Sequence, residues 1–163
     1  MWGPLRHHFA AKIPQGEFTS RSTRGKTFIM PAIAQLFFKT AVVFLIVGII
    51  IGLHMSISGN HDVIAAHAHA NLLGWVTSAI FGGYYALNPA KAEQRLAVIH
   101  YWVYTVGVAG LVPSLYMLLK GNEAIEPLVA LCSLVTFAGV LVFAVVVFKP
   151  ARQRVGVAPA GLR

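Results

Sequence analysis

The chain has 163 residues, of which 57% are apolar in the broad sense (Ala, Val, Ile, Leu, Met, Phe, Trp, Tyr, Cys) and only 11% are charged. Mean hydropathy is +0.70, and soluble domains carry roughly a quarter charged residues, so the composition argues against both a soluble enzyme and a disordered chain. The net charge of +8 does not point to nucleic acid, because the basic residues flank the apolar runs instead of forming one patch.

Residues 1–31 are polar and basic, with Pro4, Pro14 and Gly16 and no apolar periodicity. Three readings are open: a cytoplasmic tail, an organelle presequence rich in Arg, Ser and Thr, or an extended start with Met30 as the initiator. The segment has no secretory apolar core, which favours the first and third. Four runs without Asp, Glu, Lys or Arg follow: Thr40–His61, Val63–Ala90, Leu96–Leu119 and Pro127–Phe148. Each is about 20 residues or longer, enough to cross a hydrocarbon core of roughly 30 Å as a helix.

The expected fold is therefore all-α, an integral membrane four-helix bundle over residues 32–148. Its spans lie at about 34–57, 63–87, 96–119 and 126–148, and a basic tail covers 149–163. Asp62 is the expected N-cap of the second span. Asn88-Pro89 should end it, Gly121-Asn122 should end the third, and Pro127 should sit in the first turn of the fourth. Pro113 should kink the third span. The short connections predict antiparallel neighbours. Of the 13 Lys and Arg residues, all but Lys120 fall in the two tails, at Lys39, or in the loop with Lys91 and Arg95. The positive-inside rule then places both termini in the cytoplasm, and Ser58–Asp62 and Lys120–Glu126 outside. Cys132 stands alone within a span, so neither a disulfide nor a Cys-based zinc site is expected.

Histidine carries the candidate chemistry. Seven are present, and His7 and His8 lie in the tail. His54, His61, His67 and His69 gather at the outer face, while His100 opens the third span toward the other side. An ionisable side chain inside a span is costly and marks function by default, and imidazole is both a metal ligand and an axial ligand of haem iron. His67 and His69 are about 200° apart on a regular helix, so they do not share one metal. His67 lies beside a ridge of small residues at spacing four (Ala66, Ala70, Gly74, Ser78, Gly82), which reads foremost as a helix-packing surface. Asn71 is one turn away and can hydrogen-bond His67. His69 lies on the other side, above Leu72, Leu73, Val76, Ile80 and Gly83. Gly48 and Gly52 form a small-residue pair in span one. His100, Tyr104, Gly107 and Ser114 share a face of span three, read as a second polar site or, preferentially, an interhelical hydrogen bond. Tyr84, Tyr85, Tyr101, Tyr116, Trp75 and Trp102 read in part as interfacial aromatics.

The string His69-Ala-Asn-Leu-Leu, followed by Phe81-Gly-Gly-Tyr-Tyr-Ala-Leu-Asn-Pro89, resembles the second transmembrane helix of the haem-copper oxidase superfamily. The likeness is to the large subunit of bacterial nitric oxide reductases and the catalytic subunit of cbb3-type oxidases. From about Met30 to Phe148 the chain is also similar to short four-span bacterial proteins of an oxidase subunit I-like type. Those carry a His-Ala-His-x-Asn-Leu-Leu-Gly-Trp string, here His67 to Trp75, and a His-Phe-Trp-like string, here His100-Tyr101-Trp102.

The resemblance implies a multi-pass protein of the inner membrane of a bacterium, with His69 as an axial ligand of haem b. It further implies a role in electron transfer, haem sensing or haem handling associated with respiration. The chain departs from that family in lacking the later spans, the adjacent His-His pair and a copper-and-tyrosine centre, so reduction of oxygen or nitric oxide by this chain alone is not expected. The second axial ligand is then to be sought in His54, His67 or the His69 of a second copy, and a homo-oligomer is expected. Two other readings stay open. His54, His61, His67 and His69 could form an outer copper or zinc site, with His100 as a possible second site. Alternatively, the chain is an accessory or assembly subunit of a respiratory complex, in contact with lipid, whose histidines only satisfy hydrogen bonds.

Overall fold

The computed structural model describes residues 29–150. The readings of the N-terminal tail, His7 and His8 and of the C-terminal tail beyond Pro150 lie outside the described residues.

Helix α1 (Ala32–Ser58) starts directly after Pro31, whose carbonyl takes the amide of Gln35 at 3.1 Å. It ends at Gly59, where φ is +67°, a left-handed turn that glycine adopts without a Cβ penalty. Asp62 does not cap the next helix. Its carboxylate accepts from Asn60 Nδ2 at 2.7 Å, and its amide donates to Asn60 Oδ1 at 2.8 Å. The side chain is thus engaged within the loop, and α2 (Ile64–His69) begins after Val63 without a side-chain cap bond.

Helix α2 runs directly into a π-helical segment, Ala70–Thr77, and then into α3 (Ser78–Leu87). The three form one helical rod, rod two. Hydroxyls mark the π-helical stretch. Thr77 Oγ1 donates to the Leu72 carbonyl at 2.7 Å, and Ser78 Oγ to the Leu73 carbonyl at 3.5 Å, each five residues back. The Tyr104 hydroxyl donates to the same Leu73 carbonyl at 3.0 Å. Such side-chain donors compete with the regular ladder and accompany helical irregularity. Rod two ends at Asn88, before Pro89 opens the short α4 (Pro89–Ala92).

Helix α5 (Arg95–Leu119) continues through Pro113 as one element. Pro113 lacks the amide that would bond the Ala109 carbonyl, so one rung is missing. The helix closes with a Schellman motif: Gly121 N donates to Leu118 O at 2.9 Å, Asn122 N to Met117 O at 3.2 Å, and Gly121 has φ +93°. A 3-10 turn (Glu123–Ile125) leads into α6 (Glu126–Phe148), which has Pro127 in its first turn.

Among the described residues, three helical stretches are long and apolar enough to cross a membrane: Ala32–Ser58, Arg95–Leu119 and Glu123–Phe148. The second expected span is helical from Ile64 to Leu87, but its π-helical middle divides it into shorter α-helices. Rod two packs along α1, and α5 packs along α6. Small residues permit both approaches. A Cβ on Gly52 would stand 2.9 Å from His67 Cε1, and one on Gly139 would stand 2.8 Å from Tyr104 Cα. Within the four-helix arrangement, α6 commits its small face to α5 and leaves its other flank bare. Leu134 and Phe137 are 66% and 59% exposed. At its C-terminal end α6 is tied back to the chain. Lys91 of α4 donates to the carbonyls of Val146 and Val147, both at 2.8 Å, and its ammonium lies 5.7 Å from the Tyr84 ring centroid. Phe143, one turn earlier, enters an aromatic core with Phe37, Phe81, Tyr85, His100 and Tyr104.

Candidate functional site

The two histidines of α2 face opposite ways. His67 Nδ1 lies 2.9 Å from the Gly48 carbonyl of α1. A carbonyl only accepts, so Nδ1 carries the proton and donates. Asn71 Nδ2 donates to the His67 carbonyl at 2.9 Å and also approaches His67 Nε2 at 3.5 Å. The His67 ring sits over Gly52 and the Asn71 amide over Gly48. Both nitrogens of His67 are therefore turned toward protein groups, and the residue joins rod two to α1. The ridge beside it is buried at all five positions, and its glycines meet α1 through Phe44 and through Ala34 and Phe38.

His69 is half-buried, and its Nδ1 lies 2.8 Å from the Ala65 carbonyl of its own helix. The same argument puts a proton on Nδ1, and a neutral ring in this tautomer keeps its lone pair on Nε2. This is the state in which an imidazole binds a metal, and a carbonyl on the other nitrogen fixes the ring and raises its basicity. The π-helical segment begins at the next residue, and such segments occur frequently at functional sites. Along the same side, Leu72, Val76 and Ile80 are 61%, 37% and 60% exposed. A Cβ on Gly83 would meet nothing within 4 Å. His69 thus stands at the head of an apolar strip that no other helix covers among the described residues.

The remaining candidates lie elsewhere. His54 and His61 are exposed. His54 is two residues from Gly52, about 200° around α1 and hence on the side away from rod two. Among the described residues, no three His, Cys, Asp or Glu side chains come together as a metal-binding group. The four outer histidines therefore do not converge within one chain.

His100 is 0% exposed and belongs to the packed core. Its Nδ1 is 3.0 Å from the Tyr85 hydroxyl, and its ring centroid lies 5.0 Å from Phe37, 4.6 Å from Phe81 and 5.1 Å from Phe143. Its Nε2 has no partner among the described residues. The polar face expected with Tyr104 and Ser114 resolves into separate bonds. Tyr104 reaches Leu73, and Ser114 Oγ donates within its own helix to Gly110 at 2.7 Å. Tyr85, read as an interfacial aromatic, is instead fully buried, and Tyr101 bonds Thr40 Oγ1 at 3.0 Å. Trp102, 58% exposed, keeps an outward position. The Tyr85–His100 pair was the contact that sequence reasoning missed. The two residues are 15 apart in sequence and on different helices, so no short-range signal marks the pair.

A cavity of about 460 Å³ lies between α1 and α5, lined by Phe44, Val47, Ile51, Ala109, Val112 and Pro113, with Tyr116 and Met117. It contains no imidazole, so it is not a haem pocket served by His69. The residues that fit an iron porphyrin are those of the wall: one oriented imidazole with a free lone pair and an apolar strip below it. They would offer an iron porphyrin one axial donor and one apolar face.

No protein-family model matches the chain, and neither a curated protein nor a solved structure is significantly similar to it.

Proposed function

We propose that this chain is a four-span protein of a bacterial inner membrane, with both termini cytoplasmic, that binds haem b through His69. In this reading it acts in electron transfer or haem handling beside the respiratory machinery and reduces neither oxygen nor nitric oxide itself. One observation carries the proposal: the His69 ring is held by the Ala65 carbonyl with Nε2 left open, above an apolar wall. Bound haem b supplies a one-electron iron couple. The chain's own part is to orient the imidazole, to strengthen it as a donor through the Ala65 bond, and to keep water from the wall through Leu72, Val76 and Ile80. The helical length of rod two, 24 residues from Ile64 to Leu87, supports the fourth crossing, since about 20 suffice.

The test is an absorption spectrum, oxidised and reduced, of the detergent-solubilised protein from haem-replete cells. A Soret band that disappears in His69→Ala is the expected result. Its absence in the unaltered protein, or its survival in His69→Ala, refutes the proposal. Stoichiometric copper or zinc without iron would favour the metal reading instead. The bonds that engage His67 and His100 within the fold favour a second reading, a colourless accessory subunit. It predicts co-purification with a larger complex that survives loss of the histidines.

A further inference from the structure

We infer that Tyr85 and His100 form a redox-active pair: Tyr85 gives up an electron to a one-electron oxidant, and its hydroxyl proton passes in the same step to His100 Nδ1. The inference does not depend on haem at His69. Both residues are 0% exposed, and the hydroxyl oxygen and Nδ1 are 3.0 Å apart, within reach for proton transfer. The polar atoms decide which of the two donates. If Nδ1–H donated, the phenolic hydrogen and the Nε2 lone pair would both be buried unpaired. If the hydroxyl donates, Nε2–H alone is left over. The hydroxyl therefore donates, and Nδ1 holds the lone pair that receives its proton. Among the described residues, no other tyrosine sets its hydroxyl against an imidazole. Tyr101 meets Thr40 Oγ1 and Tyr104 meets the Leu73 carbonyl, and neither of these is a base.

A phenol that loses an electron becomes a very strong acid, so oxidation is easiest where a base already accepts its hydrogen. In the step, one electron leaves the Tyr85 ring, the O–H bond breaks and an N–H bond forms at Nδ1. The products are a neutral tyrosyl radical, an imidazolium and the oxidant reduced by one electron. The core can hold that cation, because the rings of Phe37, Phe81 and Phe143 lie 5.0, 4.6 and 5.1 Å from the imidazole centroid, within range of cation–π attraction. Nε2 has no partner among the described residues, so the proton has no onward acceptor and returns to Tyr85 on re-reduction. The rings also provide an entry. Trp102, 58% exposed, meets Tyr101 at 5.3 Å between centroids, Tyr101 meets Phe37 at 5.0 Å, and Phe37 stacks on Tyr85 at 5.8 Å. An exposed ring on an apolar helix fits a lipid-soluble oxidant of the peroxyl-radical class. Such a radical gains the electron, takes a proton from water at the membrane face and leaves as a hydroperoxide.

Flash oxidation of the full-length protein in detergent, without added haem, provides the test. Ruthenium tris-bipyridine with persulfate is the oxidant, and electron paramagnetic resonance is the readout. The expected result is a tyrosyl radical that is lost in Tyr85→Phe and kept in Tyr104→Phe. In the unaltered protein carrying isotope-labelled histidine, electron–nuclear double resonance should show the radical coupled to a hydrogen-bonded imidazole. A pair with only a structural role would not give that coupling, and the measurement needs no variant to fold. His100→Phe keeps a ring in the core and removes the base, so the radical should be lost. Trp102→Phe should slow its appearance several-fold. The absence of a tyrosyl radical in the unaltered protein, its survival in Tyr85→Phe or His100→Phe, or a radical without imidazole coupling would overturn the pair. An unchanged rate in Trp102→Phe would overturn the entry through that ring.

Discussion

Replacing Lys91 by Met tests how α6 is held to the rest of the chain. The ammonium donates to two carbonyls in the last turn of α6, at 2.8 Å each, and lies 5.7 Å over the Tyr84 ring. Hydrogen bonds from a charged donor contribute about 1.5–3 kcal/mol when buried. Here one is part-buried and the other exposed, so about 1.5 kcal/mol for the first and a few tenths for the second are appropriate. The cation–π contact adds about 0.5 kcal/mol at an exposed site. The sum is about 2 kcal/mol, which corresponds to roughly a 30-fold change in a local opening equilibrium. Met keeps much of the apolar stem, so the loss isolates the charge and its bonds. Hydrogen exchange followed by mass spectrometry should show the last turn of α6, including the Lys149 amide now bonded to Val145 at 3.0 Å, exchanging roughly 30-fold faster. The middle of α1 should be unaffected, and Lys91→Arg should largely restore protection. Unchanged exchange at the end of α6 in Lys91→Met would show that Phe143 and the α5 contact suffice, and the latch reasoning would fail.

Tyr85→Phe should destabilise the fold by about 1–3 kcal/mol, because it leaves His100 Nδ1 unpaired in a box where Nε2 already has no partner. Adding His100→Phe should recover most of that loss, and a double-mutant cycle read by thermal unfolding in detergent would show the coupling. Gly52→Leu should cost about 1–3 kcal/mol, since even a Cβ there stands 2.9 Å from the His67 ring. A lowered melting temperature with His67 moved off Gly48 would be the readout. Gly121→Ala should cost about 1 kcal/mol by forcing a Cβ into φ +93°. An unchanged melting temperature would count against the Schellman closure as a stabilising element.

What the sequence revealed was local backbone chemistry and helical phase. The ends at Asn88-Pro89, Gly121-Asn122 and Pro127 were legible because proline and glycine act within a residue or two of themselves. The opposed directions of His67 and His69 followed from the angle between residues two apart. Asp62 was misread as a cap because Asn60, equally close, competes for the same carboxylate. Tyr85 and Tyr101 were read as interfacial because amphipathic rings usually are. Their actual partners, His100 and Thr40, lie on other helices and carry no signal at short range. The open position of α6 was equally hidden, since a run of Leu, Val and Phe looks the same against lipid as against protein.

The π-helical segment has a geometric consequence for the spacing-four ridge. In a regular α-helix each step of four residues overshoots a full turn by about 40°, so the path from Ala66 to Gly82 would wander by roughly 160° around the axis. Bonds that span five residues make a looser coil that turns less per residue, and within it the same step falls short of a full turn. Overshoot above and below the segment is offset by undershoot within it. Rod two thereby aims Ala66, Ala70, Gly74, Ser78 and Gly82 inward as one straight seam, and α1 can follow it without winding around its neighbour.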